Sequence, residues 1–305
     1  MKNVLIINQY AANKGDRAVL FAMVSELLKH GVNISVSTHK PSLWQNYDFY
    51  SENNVKFIPW GWDFETNLGK SFYGNLFWKM LIKLKKYTYT INRQLFLLSK
   101  KIPFYIFRLL MNQQFYQALQ KTDIVISTGG HHVTTLLARD AISAQLYDLS
   151  LAIFSGRPTY IWSQSIGPLD FFNKQNENFV YKVLNKCKGI YLRDQQSLQF
   201  FQNNGEHIHK TYESVFLLNN IFTDYILPSK RENVFGISIY STKNRTKEER
   251  LEYVQTLANL VNYVTKQKIK VKFFPMEIKS SEPDDRPMIQ EILENVDNQS
   301  FCSVV

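Results

Sequence analysis

Four short polar segments of this sequence contain residue types that suit the binding of an anion. Glycine lets a backbone pass close to a ligand, and the first turn of a helix offers free N–H groups to an anion. An arginine can bind a carboxylate or a phosphate through two parallel hydrogen bonds, and a histidine can exchange a proton near neutral pH. The four segments are Asn13-Lys-Gly15-Asp16, Gly129-Gly130-His131-His132, Gln164-Ser165-Ile-Gly167-Pro168 and Arg193-Asp194. Together they predict an anion-binding active site.

Each segment also has a purely structural interpretation, which the residues alone leave open. Asp16 either caps a helix or faces a ligand. Arg193 either binds an anion or pairs with Asp194 or Asp16. Residues 164–168 either line the site or form a polar turn. The two adjacent histidines have no third ligand at a spacing typical of zinc, so no metal site is predicted.

Alternating strand and helix patterns place the four segments at the ends of strands. Short apolar runs predict strands at residues 3–8, 32–37, 55–58, 123–128, 158–163, 189–192, 234–240 and 270–274, with another beginning at 301. Helical periodicity predicts a first helix that stops at Gly31 and others at 136–154, 179–187, 195–201, 247–266 and 285–295. This alternation is typical of α/β proteins with a parallel sheet, in which ligands bind beyond the carboxyl ends of the strands.

The chain is long enough for two α/β domains. Its 305 residues exceed the size of one ordinary core. We expect residues 1–218 to form an N-terminal α/β domain with a basic helical insertion at about 66–122, and residues 219–305 to form a partial C-terminal α/β domain. The second domain is expected to be truncated, because an apolar terminal strand at 301–305 would otherwise lack neighbours and a covering helix.

The positive charge of the chain is concentrated in the insertion. The net charge is +10, and the stretch between Glu65 and Asp123 has ten basic residues and no acidic one. Basic and aromatic residues alternate there, which either suits an anionic membrane surface or leaves a helical face in water. No nucleic-acid-binding motif accompanies it, so a nucleic-acid partner is not expected.

Composition and missing motifs exclude several classes of protein. No apolar run approaches the ~20 residues of a membrane-spanning helix. Two cysteines cannot form a disulfide framework, which favours the reducing cytoplasm. The glycine fingerprint of dinucleotide-binding proteins and the phosphate-binding P-loop are both absent, which disfavours a nicotinamide cofactor and an ordinary NTPase.

The order and spacing of these segments resemble the polysaccharide pyruvyltransferase family over nearly the whole chain. The blocks that carry the resemblance are Asn13-Lys-Gly-Asp16 with Ala18, Ser127-Thr-Gly-Gly130, Gln164-Ser-Ile-Gly-Pro168, Arg193-Asp-Gln-Gln-Ser197, and Phe274-Pro275 with Asp284-Asp285. The resemblance implies two Rossmann-like domains similar to GT-B glycosyltransferases. It implies transfer of the pyruvyl group of phosphoenolpyruvate to two hydroxyls of a sugar, forming a ketal in a cell-surface polysaccharide or its lipid-linked precursor, without a cofactor.

The resemblance also implies roles for individual residues. Arg193 would hold the carboxylate or phosphate of the donor. Asn13, Gly15 and the helix starting at Asp16 would line the donor or acceptor side, with Asp16 a candidate base for a sugar hydroxyl. The other substrate-binding residues implied by the matching blocks are Gly129, Gly130, Gln164, Ser165, Gly167 and Ser197. Our own hypothesis adds His131 or His132 as the acid that protonates the enol carbon.

Two departures from the family pattern keep other functions open. The arginine-x-histidine pair usual late in the family's second domain is missing, since no histidine follows His209, and Glu213 stands where the family commonly has an aspartate. The alternatives are a glycosyltransferase of similar shape that uses a nucleotide-sugar, and an inactive truncated chain that binds a glycan or a membrane. The expected location is the cytoplasm, with peripheral contact to the inner membrane face through the insertion.

Overall fold

The computed structural model describes most of the chain. The described residues are 1–10, 14–62, 87, 90–97, 108, 111–135, 144–201, 206–220, 233–239, 246–275 and 284–305. Asn13 and most of the basic insertion lie outside them, as do residues 221–232 and residues 136–143 of a predicted helix. Contacts between Cα atoms divide the chain into two compact units, Met1–Ala12 with Asp16–Ile221, and Asn13–Gly15 with Phe222–Val305.

The first unit is built on a parallel sheet. Its strands are β1 (Asn3–Gln9), β2 (Asn33–Thr38), β3 (Lys56–Pro59), β4 (Ile124–Ser127), β5 (Gly130–Val133), β6 (Thr159–Ile166), β7 (Gly189–Leu192) and β8 (Ile208–Lys210). The main path runs β3-β2-β1-β4-β6-β7-β8, and β5 pairs with β6 beside it. Because β1 leads to β2 on one side and β4 lies on the other, the β1–β4 junction is a topological switch point, where such sheets bind ligands.

Helices cover both faces of this sheet. In chain order they are α1 (Lys14–Leu28), α2 (Asp48–Glu52), α3 (Gln113–Lys121), α4 (Ala144–Phe154), α5 (Lys174–Leu184) and α6 (Gln195–Gln199). Alternate residues of β1 face opposite sides. Leu5 and Ile7 belong to the core with α3, α4 and α5, whereas Val4 and Ile6 belong to the core with α1. This alternation follows from the two-residue period of a strand.

The second unit has its own sheet and core. Its elements are β9 (Val234–Ile239), α7 (Lys247–Lys266), β10 (Lys270–Pro275), α8 (Arg286–Glu294) and β11 (Cys302–Val304). The strands are parallel, in the order β11-β10-β9. A capping box starts α7, in which Thr246 and Glu249 exchange side-chain and backbone hydrogen bonds. Buried aliphatic residues of α7 and α8 pack on β9 and β10.

The predicted α/β fold class is confirmed, and several local predictions need correction; for example, the helix predicted at 179–187 spans Lys174–Leu184. Residues 130–133, predicted as part of a loop, form β5, because Gly130 and Val133 pair with Gln164 and Ile166 of β6. The strand β6 continues to Ile166, whereas the predicted strand ended at residue 163. The short edge strand β8 was not predicted, since its three residues carry little apolar signal.

None of the helices in the described ranges is long and apolar enough to cross a membrane.

The buried face of α1 makes a testable contribution to stability. Leu20 is 0% exposed in the core beneath α1, whereas Leu251 on α7 is 61% exposed. Leu20→Ala leaves a cavity and is expected to lower the free energy of unfolding by about 2–5 kcal/mol. The matched exposed substitution Leu251→Ala should change it by no more than about 0.5 kcal/mol. Urea unfolding followed by circular dichroism measures both, and equal losses would contradict this packing.

Candidate functional site

Three of the predicted site segments lie at the carboxyl ends of neighbouring strands, and the fourth, of which Asn13 lies outside the described residues, follows β1 along the chain. The glycine-histidine segment follows β4, residues 164–168 begin in β6 and continue past its end, and Arg193 follows β7. These strands are adjacent in the order β1-β4-β6-β7. The backbone N–H of Arg193 also donates to the carbonyl of Gln164, at 3.2 Å. The fold therefore brings residues that are far apart in sequence to one edge of the sheet.

A buried amide-hydroxyl network forms the floor of this edge. Asn8, the penultimate residue of β1, is 2% exposed and adopts a left-handed backbone with a φ of 70°. Its Nδ2 donates to Ser127 Oγ at 2.8 Å, and Gln164 Nε2 donates to the same oxygen at 2.8 Å. Gln164 Nε2 also donates to the carbonyl of Thr128, at 2.5 Å. The side chains of β1, β4 and β6 are thus fixed relative to one another.

Two amide oxygens of this floor lack partners within the described structure. They are Asn8 Oδ1 and Gln164 Oε1. A buried acceptor without a donor is costly, so both oxygens favour an internal water as a partner. Sequence reasoning selected Gln164 and missed Asn8. The sequence did offer a signal for Asn8, because this asparagine stands at the end of the apolar strand predicted at residues 3–8.

Glycines allow close packing around the floor. A Cβ on Gly129 would lie 3.0 Å from Val19 Cγ1 of α1 and 3.2 Å from the carbonyl of Ser163. Gly130 and Gly167 have φ values of 140° and 97°, which residues with a side chain rarely adopt. A Cβ at either position would also overlap a neighbouring ring, of His132 or Phe200 respectively. The three glycines therefore shape the edge, whereas their contact with a substrate stays a prediction.

The two histidines occupy different environments. His131 is exposed, and its Nε2 donates to the carbonyl of Gly167 at 2.5 Å. The Nε2 of His132 donates to the carbonyl of Gly129 at 3.2 Å. The pKa of His132 is lowered to about 4. Burial is the main cause, the charges of His131 and Arg193 lower the pKa further, and the hydrogen bond to Gly129 opposes the shift. His132 is therefore neutral at physiological pH, which favours His131 as the proton donor of the pair.

Arg193 is held by two side chains on its own unit. Its Nε donates to Ser165 Oγ at 2.8 Å, and its Nη1 forms an ion pair with Glu213 Oε2. The Arg193 side chain is 26% exposed and that of Glu213 is 25% exposed. Glu213 is in turn fixed by the N–H of Ser214, which donates to its Oε1 at 3.0 Å. The guanidinium is thus oriented and partly open to solvent.

Asp194 and Ser197 have structural roles in this arrangement. Asp194 caps α6 by accepting from the N–H of Ser197, at 2.7 Å. Burial raises the pKa of Asp194, but hydrogen bonds from Ser165 and Ser197 and the charge of Arg193 outweigh this, so the net shift is downward. The hydroxyl of Ser197 accepts from the N–H of Ile166 at 2.8 Å. A contact between Ser197 and a substrate stays a prediction.

The first turn of α1 contains two of the predicted site residues, Gly15 and Asp16. Gly15 is exposed and Asp16 is half-buried in the first turn, and the carbonyl of Asp16 accepts from Gln9 Nε2 at 3.4 Å. Asn13 lies outside the described residues. The proposed roles of these three residues are therefore untested predictions. Over the described ranges, no group of three or more His, Cys, Asp or Glu side chains could hold a metal ion.

Comparisons with known proteins agree with the sequence blocks. A model of the polysaccharide pyruvyl transferase family matches residues 13–299, nearly the whole chain. No curated protein sequence matches the chain.

Solved structures with similar folds share little sequence with this chain. A Listeria monocytogenes protein described as a UDP-N-acetylglucosamine 2-epimerase has a TM-score of 0.52 at 9% identity, with 100% of this chain and 68% of that chain covered. The UDP-GlcNAc 2-epimerase of Methanocaldococcus jannaschii has a TM-score of 0.47 at 12% identity, covering 100% and 73%. Alr3699/HepE of Anabaena, solved with UDP, has a TM-score of 0.49 at 8% identity, covering 100% and 69%. The Listeria likeness supports the predicted α/β fold resembling GT-B enzymes.

The low pKa of His132 predicts an acid-dependent loss of stability. An unfolded histidine titrates near 6.5 and His132 near 4, so between these values the unfolded chain binds more protons. Stability should therefore be full above about pH 6.5 and should decline toward about pH 4. His132→Gln, which keeps a donor for Gly129, should lose less stability over this range. Urea unfolding near neutral pH and at about pH 4.5 measures the difference. Parallel losses in both proteins would contradict a buried neutral ring.

Proposed function

Because the chain belongs to the polysaccharide pyruvyl transferase family, and is thus a transferase enzyme, we propose that its donor is phosphoenolpyruvate and its acceptor a saccharide with two free hydroxyls. The supporting observation is the oriented, partly exposed Arg193 guanidinium at the strand-end edge. Phosphoenolpyruvate carries a carboxylate and a phosphate, the two groups that a guanidinium binds best.

The contacts of Arg193 leave room for such a donor. A guanidinium has five N–H donors, and the described bonds to Ser165 and Glu213 use Nε and Nη1. The remaining donors would bind the donor carboxylate or phosphate. Glu213 balances the charge of Arg193, and its fixed position holds the guanidinium in place. We assign donor binding to Arg193 and positioning to Ser165 and Glu213.

The proposed reaction is redox neutral and has two stages. A proton is added to C3 of phosphoenolpyruvate, and C2 is attacked by the first sugar hydroxyl, which loses its proton. The second hydroxyl then displaces phosphate from C2 and loses its own proton, giving the cyclic ketal and inorganic phosphate. We assign C3 protonation to His131, because the low pKa of His132 makes that ring the poorer proton donor of the pair. Asp16 is the proposed base for a hydroxyl. No cofactor is needed.

The biological setting is also a proposal. We place the transfer in the synthesis of an exopolysaccharide or a capsule, on a saccharide or a lipid-linked saccharide at the cytoplasmic face of the inner membrane. The basic and aromatic composition of residues 66–122 supports contact with anionic lipid. No role for nucleic acid is proposed.

Exchange of the donor-binding arginine tests the function. Arg193→Lys keeps the charge but loses the forked geometry, so the KM for phosphoenolpyruvate should rise about tenfold or more. Arg250→Lys is the matched control, because Arg250 of α7 forms a similar ion pair with Glu291 of α8. Its KM for the donor should be that of the wild type. Inorganic phosphate release in the presence of saccharides measures both variants.

Two results would reject this proposal. One is an unchanged donor KM in Arg193→Lys. The other is release of a nucleoside diphosphate from a nucleotide-sugar with no phosphate release from phosphoenolpyruvate, which would indicate a glycosyltransferase.

A further inference from the structure

The first unit has a large cavity on the α1 side of its sheet, beside the candidate site. Its volume is about 820 Å³, within the range of about 300–1,000 Å³ typical of ligand pockets. Side chains of β4, β6 and β7 line it from the sheet, and the segment from Thr211 to Leu217 lines it from above. Helices α3, α4 and α5 pack on the opposite face. All lining residues lie within the first unit.

Aromatic rings dominate the wall of this cavity. The rings are those of Tyr160, Trp162, Tyr191, Tyr212 and Phe216. Tyr212 is 80% exposed and Phe216 is 69% exposed. Large apolar groups open to solvent at a cavity are typical of a binding surface. Their flat faces suit a ligand that is itself flat and apolar on one side.

Polar groups at the same wall restrict the chemistry of that ligand. They are the carboxylate of Glu213 and the hydroxyls of Ser163, Thr211 and Ser214. A hydrocarbon chain would offer these polar groups no hydrogen bond. A sugar ring has an apolar C–H face for the aromatic rings and hydroxyls that donate to a carboxylate.

Glu213 joins this cavity to the donor-binding residue. Glu213 lines the cavity, and its carboxylate pairs with Arg193. The neighbouring contacts are fixed, since Trp162 Nε1 donates to Ser214 Oγ at 3.0 Å and Ser163 Oγ donates to the carbonyl of Tyr212 at 2.7 Å. A ligand in the cavity would therefore lie next to an anion held by Arg193.

We propose that this aromatic cavity is a saccharide subsite, in which a sugar ring stacks on Tyr212 and donates a hydroxyl to Glu213. Its identification as the acceptor subsite rests on the function proposed above. The binding of a sugar at this wall does not depend on the donor.

Glycoside binding without any donor tests the subsite. The probes are p-nitrophenyl galactoside, glucoside and mannoside, and saturation-transfer NMR on the full chain measures their affinity. We expect Tyr212→Ala to weaken binding about five- to tenfold and Tyr212→Phe, which keeps the ring, to bind as the wild type. Tyr263→Ala is the matched control, because Tyr263 is 67% exposed on α7 of the second unit. It should leave affinity unchanged.

The outcomes separate this subsite from the proposed reaction. Glycoside binding that depends on Tyr212 supports the subsite even if phosphoenolpyruvate is not consumed. Failure of all three glycosides to bind the wild type would overturn the subsite, as would equal affinity of Tyr212→Ala and Tyr263→Ala. Uridine monophosphate and phosphatidylglycerol vesicles are tested in the same way. If either binds the wild type and Tyr263→Ala but not Tyr212→Ala, the wall belongs to a nucleotide or a lipid, and the saccharide subsite is overturned.

Discussion

The ion pair between Arg193 and Glu213 is the contact on which the rest of the site depends. It joins the carboxyl end of β7 to the segment that follows β8, and Ser165 of β6 holds the same guanidinium. Three parts of the chain thus fix one cation at the edge of the sheet. Because both side chains are about one quarter exposed, the pair is oriented without being sealed from a ligand. Glu213 faces the aromatic cavity as well, so one carboxylate connects the two proposed substrate positions.

Most of the scaffold could be predicted from the sequence because its signals are local. The bounds of β7 and α7 match the prediction, since a glycine opens β7 and a capping box starts α7. The strand β5 was missed because a glycine and two histidines carry no β-branched pattern, and its formation depends on pairing with β6. Local propensity cannot report such a long-range contact.

The site was predicted in outline but not in its contacts. The four segments could be placed at strand ends because parallel strands share one edge. The partner of Arg193 could not be identified, since Glu213 lies twenty residues later and reaches it only after the chain passes through β8. The different environments of His131 and His132 were equally hidden, because burial depends on the packing of β5 beside Gly129.

The fate of C2 and C3 of the donor tests the central claim most directly. The chain would be incubated in D2O with phosphoenolpyruvate labelled with carbon-13 at C2 and C3, together with a saccharide acceptor. Carbon NMR should show a ketal carbon at C2 and a methyl group at C3 that carries one solvent deuterium, formed together with inorganic phosphate. Labelled pyruvate in place of a ketal, or a methyl group without solvent deuterium, would contradict transfer through protonation at this edge of the sheet.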